Sequence, residues 1–169
     1  MTYYLREVKE SDHEWLVELH NDPEVLRNIT DPRSITIEQH LAWWSSISSD
    51  PRQLRLMFAI GDEQVGFTKF YNIDRANSSC TLGADIHKKH RGHGYAHIMW
   101  TLMLDRVFLD MKLHRAALTT AEYNAIGIHI YRKLGFREEG RLEQSLLRDG
   151  VFRDQICMRL LRPEWRVLD

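Results

Sequence analysis

An excess of charge of one sign, cysteine and long apolar runs are all missing or scarce in this chain. Lys and Arg number 23 against 24 Asp and Glu, for a net charge of −1. No global positive field is available to hold a nucleic-acid backbone, so a nucleic-acid partner is not expected. The 2 cysteines, Cys80 and Cys157, lie apart, each inside an apolar stretch. They form neither a disulfide framework nor a metal-type spacing, and they read as reduced thiols of a cytoplasmic protein. No apolar stretch approaches the ~20 residues a membrane helix requires, and the segment Met1–Glu7 lacks a signal-peptide run. Repeats, low-complexity tracts and linkers are absent as well. All 169 residues therefore read as one domain, long enough to bury a core without staples.

What is present is an alternation of strand and helix signals. Tyr3–Val8 reads as a strand. Ser11 and Asp12 cap a helix over His13–Asn21, which Pro23 breaks, and Glu24–Asn28 adds a helical turn. Thr36 and Gln39 have the spacing of a capping box for a helix running to Ser48. Strands follow at Arg55–Ile60, Gln64–Ile73 and Cys80–His87, separated by turns at Gly61-Asp62 and Arg75–Asn77. A glycine-bearing loop, Lys88–Gly94, leads into a helix over Tyr95–Met111, whose apolar residues fit a 3.6-residue period. His114–Thr120 is a strand and Asn124–Leu134 a helix ended by Gly135. The last two strands, Leu142–Arg148 and Phe152–Leu161, flank the hairpin dipeptide Asp149-Gly150. Such mixing implies an α/β or α+β domain with a helix-covered sheet, and Cys80–Thr120 as a parallel crossover.

The chemistry concentrates at Arg91-Gly92-His93-Gly94-Tyr95-Ala96. Two glycines allow a tight turn and close ligand approach. The helix start offers unpaired N–H groups and the positive end of a dipole, an anion site suited to a pyrophosphate. Lys88, Lys89 and Arg91 add cationic charge. A plain strand-to-helix turn would also read Gly-x-Gly, so the context decides. The loop has neither the third glycine of a dinucleotide fold nor the Gly-Lys-Ser/Thr of a P-loop. About thirty residues on stands Asn124-Ala125-Ile126-Gly127-Ile128-His129-Ile130-Tyr131-Arg132-Lys133-Leu134-Gly135-Phe136.

These two segments together resemble the signatures of the GNAT superfamily of acetyl-CoA-dependent N-acetyltransferases. Arg91-x-x-Gly94-x-Ala96 is similar to its pyrophosphate loop, and Asn124 through Gly135-Phe136 to its second acetyl-CoA motif. The resemblance implies a single GNAT fold of mixed α/β type. It has a mostly antiparallel sheet of about seven strands, with one splayed parallel pair, and about four flanking helices. It also implies acetyl-CoA as co-substrate, with no metal. The pantetheine arm would lie along Asp85, Ile86 and His87, and Arg91, Gly92, His93, Gly94, Tyr95 and Ala96 would surround the pyrophosphate. Asn124 would hold the pantetheine or acetyl end, and Tyr131 would protonate the leaving thiolate.

Aminolysis of a thioester explains these residue types. It needs a neutral amine, donors to the carbonyl oxygen and a proton for sulfur, but no covalent enzyme intermediate, so neither cysteine is cast as a nucleophile. For the amine's proton, Glu122 is the expected base, with Asp85, His87 and water as alternatives. His87, His90, His93 and His97 straddle the anion-binding loop and are not expected to form a metal site. His129 reads as packing and Trp44 as core, while Trp43 could line an acceptor pocket.

The acceptor side resembles three subgroups. Asn21–Val25 and Thr36–Trp44 look like enzymes that acetylate amino sugars on nucleotide carriers, as in pseudaminic-acid pathways. Glu139–Arg141, Arg148–Gly150, Asp154 and Pro163–Trp165 are similar to ribosomal-protein N-terminal and spermidine acetyltransferases. A nucleotide-linked amino sugar is the expected acceptor, with a protein N-terminus or polyamine as alternatives. An acyl-CoA-binding module without turnover is the rival of another class. A homodimer is compatible with any of these.

Overall fold

The computed structural model describes residues 1–165. Its elements run β1 (Tyr3–Glu7), α1 (His13–His20), α2 (Pro23–Asn28), α3 (Ile37–Ile47), β2 (Leu54–Ile60), β3 (Glu63–Asp74) and β4 (Ser79–Ile86). Then come α4 (Tyr95–Asp105), β5 (Arg115–Ala121), α5 (Ala125–Lys133), β6 (Arg137–Arg148) and β7 (Val151–Leu161). A π-helical turn over Arg106–Asp110 continues α4. The seven strands form one sheet in the order β1-β2-β3-β4-β5-β7-β6. Every neighbouring pair is antiparallel except β4 and β5.

Both faces of the sheet are covered. On one face, Leu56, Phe58, Val65 and Leu82 pack with Met99, Trp100, Met103 and Leu104 of α4 and with Ile128 and Tyr131 of α5. On the other, Met57 and Phe67 meet Leu16 and Leu19 of α1 and Val25 of α2, with Trp15 and Trp44 against them. Trp44 is thus part of the apolar packing, as its spacing implied. Period-two alternation places Met57 and Phe67 opposite the large core and beside Arg55 and Lys69.

Local chemistry explains the ends of the elements. Asp22 accepts from the backbone N–H groups of Glu24 and Val25, and Pro23 occupies the first turn, so the short stretch after the first helix is a helix of its own. The described chain therefore has five α-helices rather than about four. The Thr36–Gln39 capping box forms in both directions, at 2.9 and 3.3 Å. Asp149 and Gly150 take φ of +52° and +75°, as a tight primed turn demands.

Strand β6 begins at Arg137, five residues before the expected Leu142. Residues 137–145 are all exposed, so no apolar alternation marks them, and β6 is the sheet edge, held through β7 alone. Its register breaks between Leu142 and Leu146, near where the apolar pattern becomes visible.

Candidate active site

Strands β4 and β5 pair only at Ser79–Thr81 against Arg115–Ala117, and beyond that they diverge. A cavity of about 810 Å³ opens there. Leu82–Ile86 and Leu118–Thr120 line its walls, α2 and Ile29-Thr30 lie at one end, and the start of α4 and one face of α5 complete it. The His87 N–H donates to the Val65 carbonyl, so by strand alternation the Ala84 and Ile86 N–H groups face the cavity.

At the start of α4, Gly92 and Gly94 adopt φ of +82° and +77°. A Cβ at either would meet nothing within 4 Å, so the requirement is conformational rather than spatial. Gly94 is the N-cap and offers no side-chain partner, leaving the first N–H groups of α4 aimed outward. Gly92, Gly94, Tyr95 and Ala96 all line the cavity. The loop and the start of α4 thus turn main-chain N–H groups toward the cavity.

Arg91 stands at the cavity edge, but its charge is already engaged. Its Nε donates to the Ile86 carbonyl at 3.1 Å and its Nη2 to Asp22 at 3.0 Å, which ties the loop to α2. Burial alone would raise the Asp22 carboxyl, but the Arg91 guanidinium and two backbone donors bring it below the usual range. Lys88 pairs with Glu18 at 3.5 Å.

Two of the expected cofactor residues stand elsewhere. His87 is 2% exposed, stacked on Trp15 at 5.1 Å and 3.3 Å from Glu18, outside the cavity lining. Its backbone N–H is bonded to β3 rather than turned to the cavity. His93 is exposed, with its ring against Tyr95, and does not line the cavity. Of the other histidines in that run, His90 faces Glu63 at 3.5 Å. No group of three or more metal-ligating side chains converges among the described residues. His129, expected to pack, is exposed and lines the cavity, because α5 turns that face to the opening.

Tyr131 is 9% exposed, edge-on to Trp100 at 4.8 Å and to Phe136 at 6.0 Å, and it reaches the cavity. Burial pushes its hydroxyl well above the ordinary tyrosine range, and the nearby Asp85 and Tyr71 push the same way. The hydroxyl therefore stays protonated at neutral pH. Asn124 caps α5, its side-chain oxygen accepting from the Gly127 N–H at 3.1 Å while its amide donates to Thr120 at 2.9 Å. Gly127 is required here, since a Cβ would stand 2.4 Å from the Asn124 amide nitrogen. Asn124 still lines the cavity and keeps one amide hydrogen free of these bonds.

The two acids stand differently. Glu122 bonds Arg141 at 3.3 Å, Arg141 also holds Asp154 at 3.0 Å, and Glu122 does not line the cavity. Asp85 lines the cavity, and its carboxylate meets Lys69 at 2.5 Å. Lys69, Arg55 and Tyr71 on the β2–β3 wall were not anticipated from the sequence. For Arg55 and Lys69 the signal was a charge inside an apolar strand. Cys80 is buried and its thiol is pushed up to about 12 by burial, so it stays protonated.

Residues 3–137 match the acetyltransferase (GNAT) domain family. The chain is 25% identical over 162 residues to the spermidine N(1)-acetyltransferase of Escherichia coli K12, covering 95% of this chain and 87% of that one. It is 29% identical over 104 residues to the [ribosomal protein uS5]-alanine N-acetyltransferase of the same strain, covering 61% and 54%. Its fold superposes, at TM-score 0.91 and 22% identity over 96% of both chains, on the crystal structure of the Vibrio cholerae spermidine N-acetyltransferase in complex with CoA and spermine. With the splayed strands and the open amide cradle, these matches establish that the chain belongs to the acetyltransferase (GNAT) family and is an N-acetyltransferase using acetyl-CoA as co-substrate.

Proposed function

We propose that the chain acetylates the primary amine of a small molecule by direct attack in the splayed cavity, with Tyr131 as general acid and Asp85 as general base. The amine nitrogen bonds to the thioester carbon, and the Ala84 and Ile86 amides face the developing oxyanion. As the C–S bond breaks, the thiolate takes the Tyr131 proton and the amine's proton passes to Asp85, directly or through water. Main-chain amides of Gly92, Gly94, Tyr95 and Ala96 hold the pyrophosphate. The observation that supports this most is the Tyr131 hydroxyl, kept protonated by burial yet reaching the same cavity as the Asp85 carboxylate. Glu122 gives way to Asp85 because Arg141 engages it outside the cavity.

The relatives support a polyamine over a nucleotide-linked amino sugar, since spermidine acetyltransferases match nearly the whole chain. A ribosomal-protein N-terminus is supported over a shorter part. The test is release of free thiol from acetyl-CoA by the purified protein, with spermidine and a panel of other primary amines, and mass spectrometry of the product. Thiol release dependent on the amine is expected. Binding of CoA with no acetylated product from any amine would favour an acyl-CoA-binding module.

A further inference from the structure

On the face of the sheet that carries Met57 and Phe67, Arg55 of β2 stands directly opposite Lys69 of β3. Like charges directly opposed on a sheet repel, and each requires a counter-charge. Lys69 has one in Asp85, at 2.5 Å. Arg55 has no carboxylate partner among the described residues. It lies 5.9 Å from the Trp43 ring and 5.7 Å from the Tyr71 ring, and its Nη1 donates to the Phe70 carbonyl at 3.0 Å. Its Nε is buried with no partner. Burial lowers its pKa to about 10, so the guanidinium remains charged at neutral pH. Arg55, Lys69, Tyr71 and Asp85 all line the same cavity.

A guanidinium that lines a ligand cavity without a carboxylate partner offers charge-assisted hydrogen bonds to a ligand's acceptor atoms. We propose that Arg55 reads an oxyanion, a carboxylate or a phosphate, on the acceptor molecule, so that the amine this enzyme acetylates carries an acidic group. Arg55, set against the Trp43 and Tyr71 rings, holds the acidic end, and the amine turns toward Asp85 and Tyr131. This rests on acetyl transfer to a small amine in this cavity and selects among such amines. A polyamine brings several ammonium groups and no anion. The cavity answers it with Glu24 and with Asp85, which Lys69 already holds. The site chemistry therefore departs from the acceptor of the spermidine-acetylating relatives.

The experiment compares matched amines that differ only in the acidic group: lysine against cadaverine for a carboxylate, glucosamine 6-phosphate against glucosamine for a phosphate. For wild type, kcat/KM for one acidic member is expected to exceed that of its partner by about tenfold or more, as a charge-assisted hydrogen bond provides. Which pair responds separates carboxylate from phosphate. Arg55→Gln should bring that ratio toward one, mostly through KM, while Arg55→Lys keeps part of it. The dissociation constant of acetyl-CoA serves as the folding control. Ratios near one in both wild-type pairs, a preference for cadaverine or spermidine, or an unchanged ratio in Arg55→Gln would each overturn the assignment while leaving N-acetyl transfer intact. If no amine releases thiol, the transferase reading itself fails. Calorimetric titration of the same pairs into CoA-bound protein then still judges Arg55.

Discussion

Replacing Tyr131 with Phe removes one oxygen from the reacting end of the cavity and little else. The ring keeps its edge contacts to Trp100 and Phe136, at 4.8 and 6.0 Å, so stability should change by no more than about 0.5 kcal/mol. The pyrophosphate cradle lies on a different element, so acetyl-CoA affinity should stay near wild type. A positioned general acid contributes roughly 10²–10⁴-fold, equivalent to about 2.7–5.4 kcal/mol of barrier. Turnover should fall by that factor. The assay is thiol release at saturating acetyl-CoA with the best amine found, beside a calorimetric dissociation constant for acetyl-CoA. Because burial raises the Tyr131 pKa above its ordinary 10.0, the donor persists through the neutral and mildly alkaline range. Wild-type turnover should therefore show no loss from tyrosine ionisation between about pH 7 and 9. Turnover within threefold of wild type would remove Tyr131 as the acid. So would a turnover loss matched by an equal loss of acetyl-CoA affinity.

Four further outcomes are expected. Asp85→Asn should lower kcat by about 10²-fold with acetyl-CoA affinity unchanged; turnover near wild type would assign the amine's proton to water or another group. Gly94→Val forces a β-branched residue to φ near +77°, at a cost of roughly 1–2 kcal/mol, and should weaken acetyl-CoA binding about tenfold or more by calorimetry. Gly127→Ala drives a methyl into the Asn124 amide, so loss of that cap should lower thermal stability by about 1 kcal/mol. Asp12 is buried against Arg6 at 2.7 Å. Burial alone would raise its carboxyl, but Arg6, the Lys9 N–H and Gln64 bring it down to about 2 from 3.8. The stability this contributes is complete above the unfolded value near 3.8 and is lost as pH falls through about 2. Melting temperature should drop across that window in wild type and less steeply in Asp12→Asn.

The parts of the fold legible in the sequence were those with a strong local signal. The Thr36–Gln39 box, the Asp149-Gly150 turn and the glycines before α4 each specify their own backbone, and the structure places all three as expected. The first half of β6 was illegible because an edge strand exposed on its length shows no alternation. Loop charge was misleading for a related reason. Arg91 and Lys88 look free in a basic loop, but Asp22 and Glu18, nearly seventy residues away in sequence, engage them. The acceptor wall was harder still. Arg55, Lys69 and Asp85 lie on three strands, and their meeting depends on registers that no short segment encodes. His87 shows the limit of motif position, since one step along the strand turns its side chain from the cavity to Trp15.

Main-chain amides at the start of α4 are expected to grip the diphosphate of acetyl-CoA. A crystal structure with coenzyme A tests it most directly. Diphosphate oxygens should lie about 2.7–3.2 Å from the N–H groups of Gly92, Gly94, Tyr95 and Ala96, with the pantetheine arm along Ala84 and Ile86. A ligand seated away from this turn, with those amides facing only water, would contradict the account.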